Sequence, residues 1–510
     1  MYQKTDRTDR IAIRAIQSCM LRKLMLLSTC MLLLMAYTTV LNAEQPQTID
    51  SRRSLAVTEQ SILARFAFER VMNQLVAQSG VPGLTSLDLF RQWWDTQNSG
   101  PGLGLGPHCN DEVNSNGETI LNGFPYNCRT APAEGIQATS GNPFSDPDTN
   151  PDAYLPIGLF NRFDLARVDG AYCGEYRIVY AKRSGITNGR ERNLLIFEAA
   201  LPNPHLEQGL DGCRKIVEFW SKLSKTDDIN ERADALERFY FQGLGNVEPV
   251  IHVSHYGDNV NQAGQIRTNQ FMQPDSPRAW SLREFKLLRI CDGSACNAMR
   301  FIPVTAKVNP FGALHDTNSA HSLAPGYQEH FLSQVAGLAG NTLNTILFDV
   351  PDKYNSGQSQ ASGSDEANYV VQAHFTPAES PDLDPSCEGN LAFECKVKEK
   401  LAQIGSTLKP EHIIKRALSQ SCAGCHQLLN GEDDNGTDIG GDLVWPPSLR
   451  FSHVTERETE VVDGQERFRI SPAMLEVFLP QRRQIMGDYL NNKLKKPKDP
   501  KATLSGRKTH

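Results

Sequence analysis

The sequence predicts an α+β protein: a larger N-terminal part built on an antiparallel sheet, followed by a small all-helical C-terminal unit. Three observations predict it. Between residues 155 and 310, stretches rich in β-branched and aromatic residues are divided by turn clusters, without the regular strand–helix alternation of a parallel sheet. At "HFTPAESPDLDPSCEGN" the composition breaks, and beyond it the apolar residues recur with helical period. At 510 residues the chain also exceeds one core, given a usual domain of about 150 residues. The expected divisions are a leader (1–43), a helical segment with a long loop (44–154), the α+β domain (155–385), the C-terminal unit (386–495) and a disordered basic tail (496–510).

The leader comes first. Arg22 and Lys23 precede an apolar run from Leu24 to Val40, and "LNA" precedes Glu44, the order of a secretory signal peptide cleaved near Ala43. Met20 is the expected initiator. Cleavage leaves no stable membrane span and, by removing six basic and two acidic residues, takes the net charge from −7 to about −11. That balance opposes a nucleic-acid partner, which needs a basic face.

Residues 55–79 place Ile62, Leu63, Phe66, Val71, Met72, Leu75 and Val76 at helical spacing, with Gly80 as the stop. A second helix follows Thr85 or Ser86. Residues 98–155 are rich in Gly, Pro, Asn and Asp and read as a long loop. "EYRIVYAKR", "RNLLIFEAAL", "QIRTNQFM", "WSLREFKLLRIC" and "AMRFIPVTAKV" read as strands; "RKIVEFWSKLS", "INERADALERFYFQGL" and "GYQEHFLSQVAGLAG" read as helices. "DKYNSGQSQASGSDE" is a polar loop. After the break come "FECKVKEKLAQIGS" and a helix opening at Pro410.

Export changes how the cysteines read. Of twelve, Cys19 and Cys30 leave with the leader, and eight fall into locally spaced pairs: Cys109–Cys128, Cys173–Cys213, Cys291–Cys296 and Cys387–Cys395. In an oxidising compartment these are disulfide candidates.

The other two stand in "SQSCAGCHQLLNG". Covalent haem attachment needs two thiols spaced to meet two vinyl groups and an imidazole able to reach the iron, and C-x-x-C-H supplies all three on one turn. Cys422 and Cys425 are the thioether candidates and His426 the proximal ligand. A redox dithiol would open a helix, where the dipole lowers the first thiol's pKa, whereas this pair follows one. Zinc would need two further ligands such as His426 or His453.

The C-terminal hundred residues resemble a class I c-type cytochrome domain. The resemblance rests on "EHIIKRALSQSCAGCH", "WPPSL" at 445–449, Met474 in "ISPAMLEVFLP" and the closing "RRQIMGDYLNNKL". It implies a helix leading into the haem triple, a proline-containing loop beside the haem and a distal ligand. Met474 is the first candidate for that ligand, with His453 and Met486 as rivals. One covalent haem c and an unknown redox partner protein follow.

Little else carries chemistry. There is no G-x-S-x-G, P-loop or dinucleotide fingerprint. His252 and His255 would face opposite ways on a strand and, with His315 and His321, read as structural. "NGEDDNGTDIGGD" and "EVNSNGETI" miss the spacing of a calcium loop. The sequence therefore predicts an exported monohaem protein, most readily periplasmic, that transfers single electrons. The alternatives are a peroxidase- or oxidase-like enzyme with an open distal side, or an exported binding or structural protein with an accessory haem unit.

Overall fold

Strand alternation divides the centre of this protein into two unlike faces: one is aromatic and aliphatic, and the other carries charged side chains such as Arg177, Glu198, Arg267 and Glu284. The computed structural model describes residues 48–129, 134–140, 142–146, 148–258, 263–271, 280–316, 319–360, 393–431 and 433–507. The first elements are α1 (Phe68–Ser79), α2 (Ser86–Asp95), β1 (Tyr154–Arg162), β2 (Tyr172–Lys182) and β3 (Asn193–Pro202). Then come α3 (Arg214–Leu223), α4 (Ile229–Phe241), β4 (Gln265–Gln270), β5 (Ser281–Asp292) and β6 (Ala295–Val304). The remainder are α5 (Ala324–Leu338), α6 (Phe393–Gln403), α7 (Pro410–Leu418), β7 (Val454–Val462), β8 (Gln465–Ile470) and α8 (Leu479–Leu490).

The main sheet is antiparallel throughout. It runs Ala56–Val57, β1, β2, β3, β4, β5, and the far edge of β5 is shared by Gln358–Ser359 and β6. The α+β expectation holds here. One face presents Tyr176, Ile178, Tyr180, Leu195, Phe197, Ile266 and Phe285, all buried. Helices cover it. Trp93 of α2 stacks on Phe301 at 4.2 Å and meets Phe197 and Phe285 edge-on, while Trp220 of α3 stacks on Tyr176 at 5.7 Å.

The other face carries charge. Arg177 pairs with Glu198 at 2.9 Å, and Arg267 bridges Glu198 at 3.3 Å and Glu284 at 3.0 Å, following the strand register. A charged face of an antiparallel sheet ordinarily meets water. This one is covered by the C-terminal residues: Asn269 donates to the Phe451 carbonyl at 2.7 Å, and Arg192 holds Glu456 through two bonds of 2.8 and 3.1 Å.

Several expectations need correction. The single helix expected over 55–79 is broken. Ala56–Val57 instead adds an edge strand to β1, and Ala67 is extended, so the long helix begins at Phe68 and ends at Gly80 with φ +71°. α2 starts at Thr85 through a reciprocal bond pair with Asp88. β1 was not anticipated. His252 and His255 are not on a strand; a short helical turn, Val253–Tyr256, brings their ring centroids to 5.0 Å.

The C-terminal region is not all-helical. Besides α6, α7 and α8 it holds the hairpin β7–β8, turned at Asp463 (φ +53°) and Gly464 (φ +71°). The boundary expected near residue 385 lies outside the described residues, and described residues on both sides of it share one hydrophobic core and one compact unit. The tail, expected to be solvated, folds back. Val168 donates to Ala502 O at 3.0 Å, Leu504 to Ala166 O at 2.9 Å and Ser505 to Asp164 O at 2.9 Å, and Arg507 is buried. Backbone pairing with the segment after β1 offsets its basic composition.

Three of the expected disulfides form, Cys109–Cys128, Cys173–Cys213 and Cys291–Cys296. They accord with an exported protein. Cys387 of the fourth pair, and the leader, lie outside the described residues. No helix among the described residues is long and apolar enough to cross a membrane. Because Trp93 is fully buried between three aromatic rings, Trp93→Ala is expected to lower unfolding free energy by about 3–5 kcal/mol, measured by urea denaturation.

Candidate functional site

The Cys-x-x-Cys-His segment begins where α7 ends. Ser419 to Ser421 close that helix, and Gly424–Leu428 then form a wide π-helical turn that carries Cys425 and His426. Such turns widen a helix locally and recur at functional sites. Gly424 is required there: a β-carbon would stand 2.0 Å from the Leu418 carbonyl oxygen. The segment is tied to the sheet edge by Ala423 N–H, which donates to Ser359 Oγ at 3.1 Å.

A loop holds the histidine from the other side. Its Nδ1 lies 2.8 Å from the Phe451 carbonyl oxygen, and its own carbonyl accepts from Phe451 N–H at 2.9 Å and from Ser448 Oγ at 2.5 Å. Ser448 and Leu449 belong to the "WPPSL" stretch, so a proline-containing loop does stand beside the triple. Arg450 (φ +49°) and Phe451 (φ +71°) adopt left-handed backbone, a local strain that aims the Phe451 carbonyl at the imidazole. The bond places the proton on Nδ1 and leaves Nε2 as the lone-pair atom, the tautomer that a metal-binding histidine uses.

His426 lines a small cavity of about 80 Å³ between the charged sheet face and the C-terminal residues. Ligand pockets usually span about 300–1,000 Å³, so this space would have to widen to take a large group. His453 and Met474 share the lining with His426. Met474 opens a second wide turn, Met474–Phe478, anchored by its N–H on Ser471 Oγ at 3.1 Å. His453 Nδ1 meets the same Ser471 Oγ at 2.9 Å, and its Nε2 lies 3.3 Å from Cys425 Sγ. Met486 is elsewhere. Its sulfur is 3.8 Å from Asn161 Nδ2, on the opposite face of β1 from the cavity-lining Phe160 and Arg162.

The rest of the wall was not among the sequence candidates. Arg162, Arg177, Arg267 and Arg482 line it with Glu198. Arg267 Nη2 and Arg177 Nε are buried without a hydrogen-bond partner, although both guanidiniums pair with carboxylates through their other nitrogens. The signal was available in "EYRIV" and "QIRTN", where charge alternates with core residues in strands that need both faces buried.

Burial also sets the protonation states. It raises the Cys422 thiol to about 11 and the Cys425 thiol to about 12, against the thiolate that disulfide exchange requires. Burial lowers His426 to about 4, and it lowers His453 well below its ordinary value, aided by His426 and Arg482. Both imidazoles are neutral at pH 7, as metal ligation demands.

The His426 shift has a consequence for stability. The unfolded imidazole, near 6.5, takes up a proton that the folded one refuses, so its contribution is complete above pH 6.5 and is lost as pH falls toward 4. Between pH 7 and pH 5 the loss is about 2 kcal/mol. Urea unfolding at the two pH values is expected to show it, and His426→Gln to remove that part of the difference.

No protein-family model, curated protein or solved structure matches the chain.

Proposed function

We propose that this chain is an exported carrier of one covalently bound haem c that transfers single electrons, with Cys422 and Cys425 as thioether donors and His426 as the proximal ligand. The reading rests chiefly on the spacing of Cys422, Cys425 and His426 on one turn, with His426 Nδ1 held by the Phe451 carbonyl in the wall of a cavity it shares with Met474. When bound, haem supplies a one-electron iron couple whose potential depends on its axial ligands. The protein's own groups would offer it partners once the cavity widened to admit it. Phe160, Val179, Leu282 and Phe478 offer apolar walls that exclude water, while Arg177 and Arg267 offer buried donors to the two carboxylates of the porphyrin.

Met474, which lines the cavity with His426, would be the second iron ligand, a choice that raises the potential. The rings of His426 and His453 are 4.6 Å apart. His453 instead serves as a neighbour of Cys425 and a partner of Ser471. The high thiol pKa values weigh against a redox dithiol. Zinc at the cysteines has less support still, since the three-residue ligand group found among the described residues lies at Glu248, His252 and His255. Periplasmic maturation, which is specialised for this attachment, makes that compartment the proposed location.

Intact-mass measurement of the protein, made in a host able to mature such haems, tests the reading. The mature chain is expected to exceed its polypeptide mass by one haem. The Cys422→Ala, Cys425→Ala double variant is expected to lose haem stain on a denaturing gel, and His426→Ala to lose the native spectrum. An unaltered stain in the double variant overturns the proposal. After reduction, an absorption spectrum insensitive to carbon monoxide fits electron transfer; a shifted Soret band indicates the enzyme alternative.

A further inference from the structure

A second group of ligand-type side chains lies behind α4, where the chain returns to the sheet. Gly243 (φ +83°) permits a tight turn, since a β-carbon there would sit 2.2 Å from Val247 O. The next residues are held firmly. Ile251 N–H donates to Tyr240 O at 2.9 Å, Gln74 of α1 donates to Ile251 O at 2.7 Å, and Gln78 accepts from Val253 N–H at 3.0 Å. Val250, Ile251, Val253 and Tyr256 are buried beneath. On this support Glu248, His252 and His255 each direct one ligand atom to a common point, all three within 4.8 Å of one another.

His255 carries the argument. Its ring is 1 % exposed. Nδ1 lies 3.3 Å from the Val250 carbonyl oxygen and Nε2 lies 2.9 Å from Glu248 Oε2. Both partners are acceptors, and a neutral imidazole has one hydrogen. With the proton on Nδ1, toward Val250, the Nε2 lone pair faces a carboxylate oxygen across 2.9 Å. That contact becomes favourable with a cation between the two atoms. Ligands at about 2.0–2.2 Å from one ion, subtending about 90–110°, are about 3 Å apart. The Val250 carbonyl then plays the orienting part that metal-bound histidines ordinarily assign to a backbone acceptor.

His252 completes the set. Its Nδ1 is 2.7 Å from Ser254 Oγ, a partner that can accept the Nδ1 proton and leave Nε2 for a metal. The nearest other charges, Arg289 and Asp258, are bonded to each other. Glu248 is exposed, so one side of the group meets water.

We propose that Glu248, His252 and His255 bind one divalent transition-metal ion of the zinc class, with solvent completing its coordination. Two imidazoles and one carboxylate are the donor set for such ions and too poor in oxygen for calcium or magnesium. The site uses none of the residues assigned to haem, so either can stand without the other.

Isothermal titration of the full mature chain with zinc chloride near pH 7.5 tests this. One Zn²⁺ per chain with micromolar or tighter affinity is expected. His252→Ala and Glu248→Gln, both at positions outside the core, are each expected to weaken it at least tenfold while leaving circular dichroism and haem content unchanged. Absence of binding, or unchanged affinity in both variants, overturns the proposal. Imidazole ¹⁵N spectra give an independent reading. His255 Nε2 is expected to be unprotonated and to shift on zinc addition; a doubly protonated ring that zinc leaves unmoved means a plain His255–Glu248 ion pair and also overturns it.

Discussion

A sheet that hides charge on one side sets the terms for everything packed around it. Removing a single ion from water costs several kcal/mol, recovered only where a partner is near and well oriented. Here Glu175, Arg177, Glu198, Arg267 and Glu284 meet that requirement by standing in register across β2 to β5, each within reach of the next. Register is therefore fixed twice. A slip of one residue would drive these groups among Tyr176, Phe197 and Phe285 and expose the aromatic residues in their place. The same ladder explains why a cavity persists beside it. Arginines committed to fixed carboxylates cannot collapse inward as apolar side chains would, and the space they border stays open.

Joining the covering segments to this face is the work of ion pairs that span most of the chain. Arg232 and Arg467 both reach Glu59, Arg52 reaches Glu460, and Arg192 reaches Glu456. Three of these acids or bases belong to β7 or β8, the hairpin that interrupts the C-terminal helices. The hairpin thus acts as a bracket between the first and last parts of the chain. Contacts so distant in sequence close late and slow folding relative to a helical bundle of the same size.

Much of this was legible beforehand. The strands from Glu175 to Val304, α3, α4, α5 and the helix leading to Cys422 follow from period and punctuation, because local pattern and tertiary burial agree there. Failures occurred where they disagree. Ala56–Val57 lies within a helical pattern but is captured by the edge of β1. In "VTERETEVVDGQERFRI" the Asp-Gly pair fits a hairpin turn, a signal the expected helical unit left unread. The tail looked solvated by composition, and only the backbone acceptors at Asp164 and Ala166 decide otherwise. At the site, His426 and Met474 were sequence candidates that share one cavity wall. The arginine wall was missed, because alternating charge reads as a solvent face until something covers it. The His252–His255 convergence depends on three residues being wound into one helical turn, a detail below the resolution of pattern.

The folded-back tail also reaches the buried thiols. Cys422 and Cys425 are fully enclosed, and the guanidinium of Arg507 draws the second thiol down against the larger effect of burial. Loosening residues 502–507 would therefore take a positive charge away from that sulfur and leave it harder still to ionise.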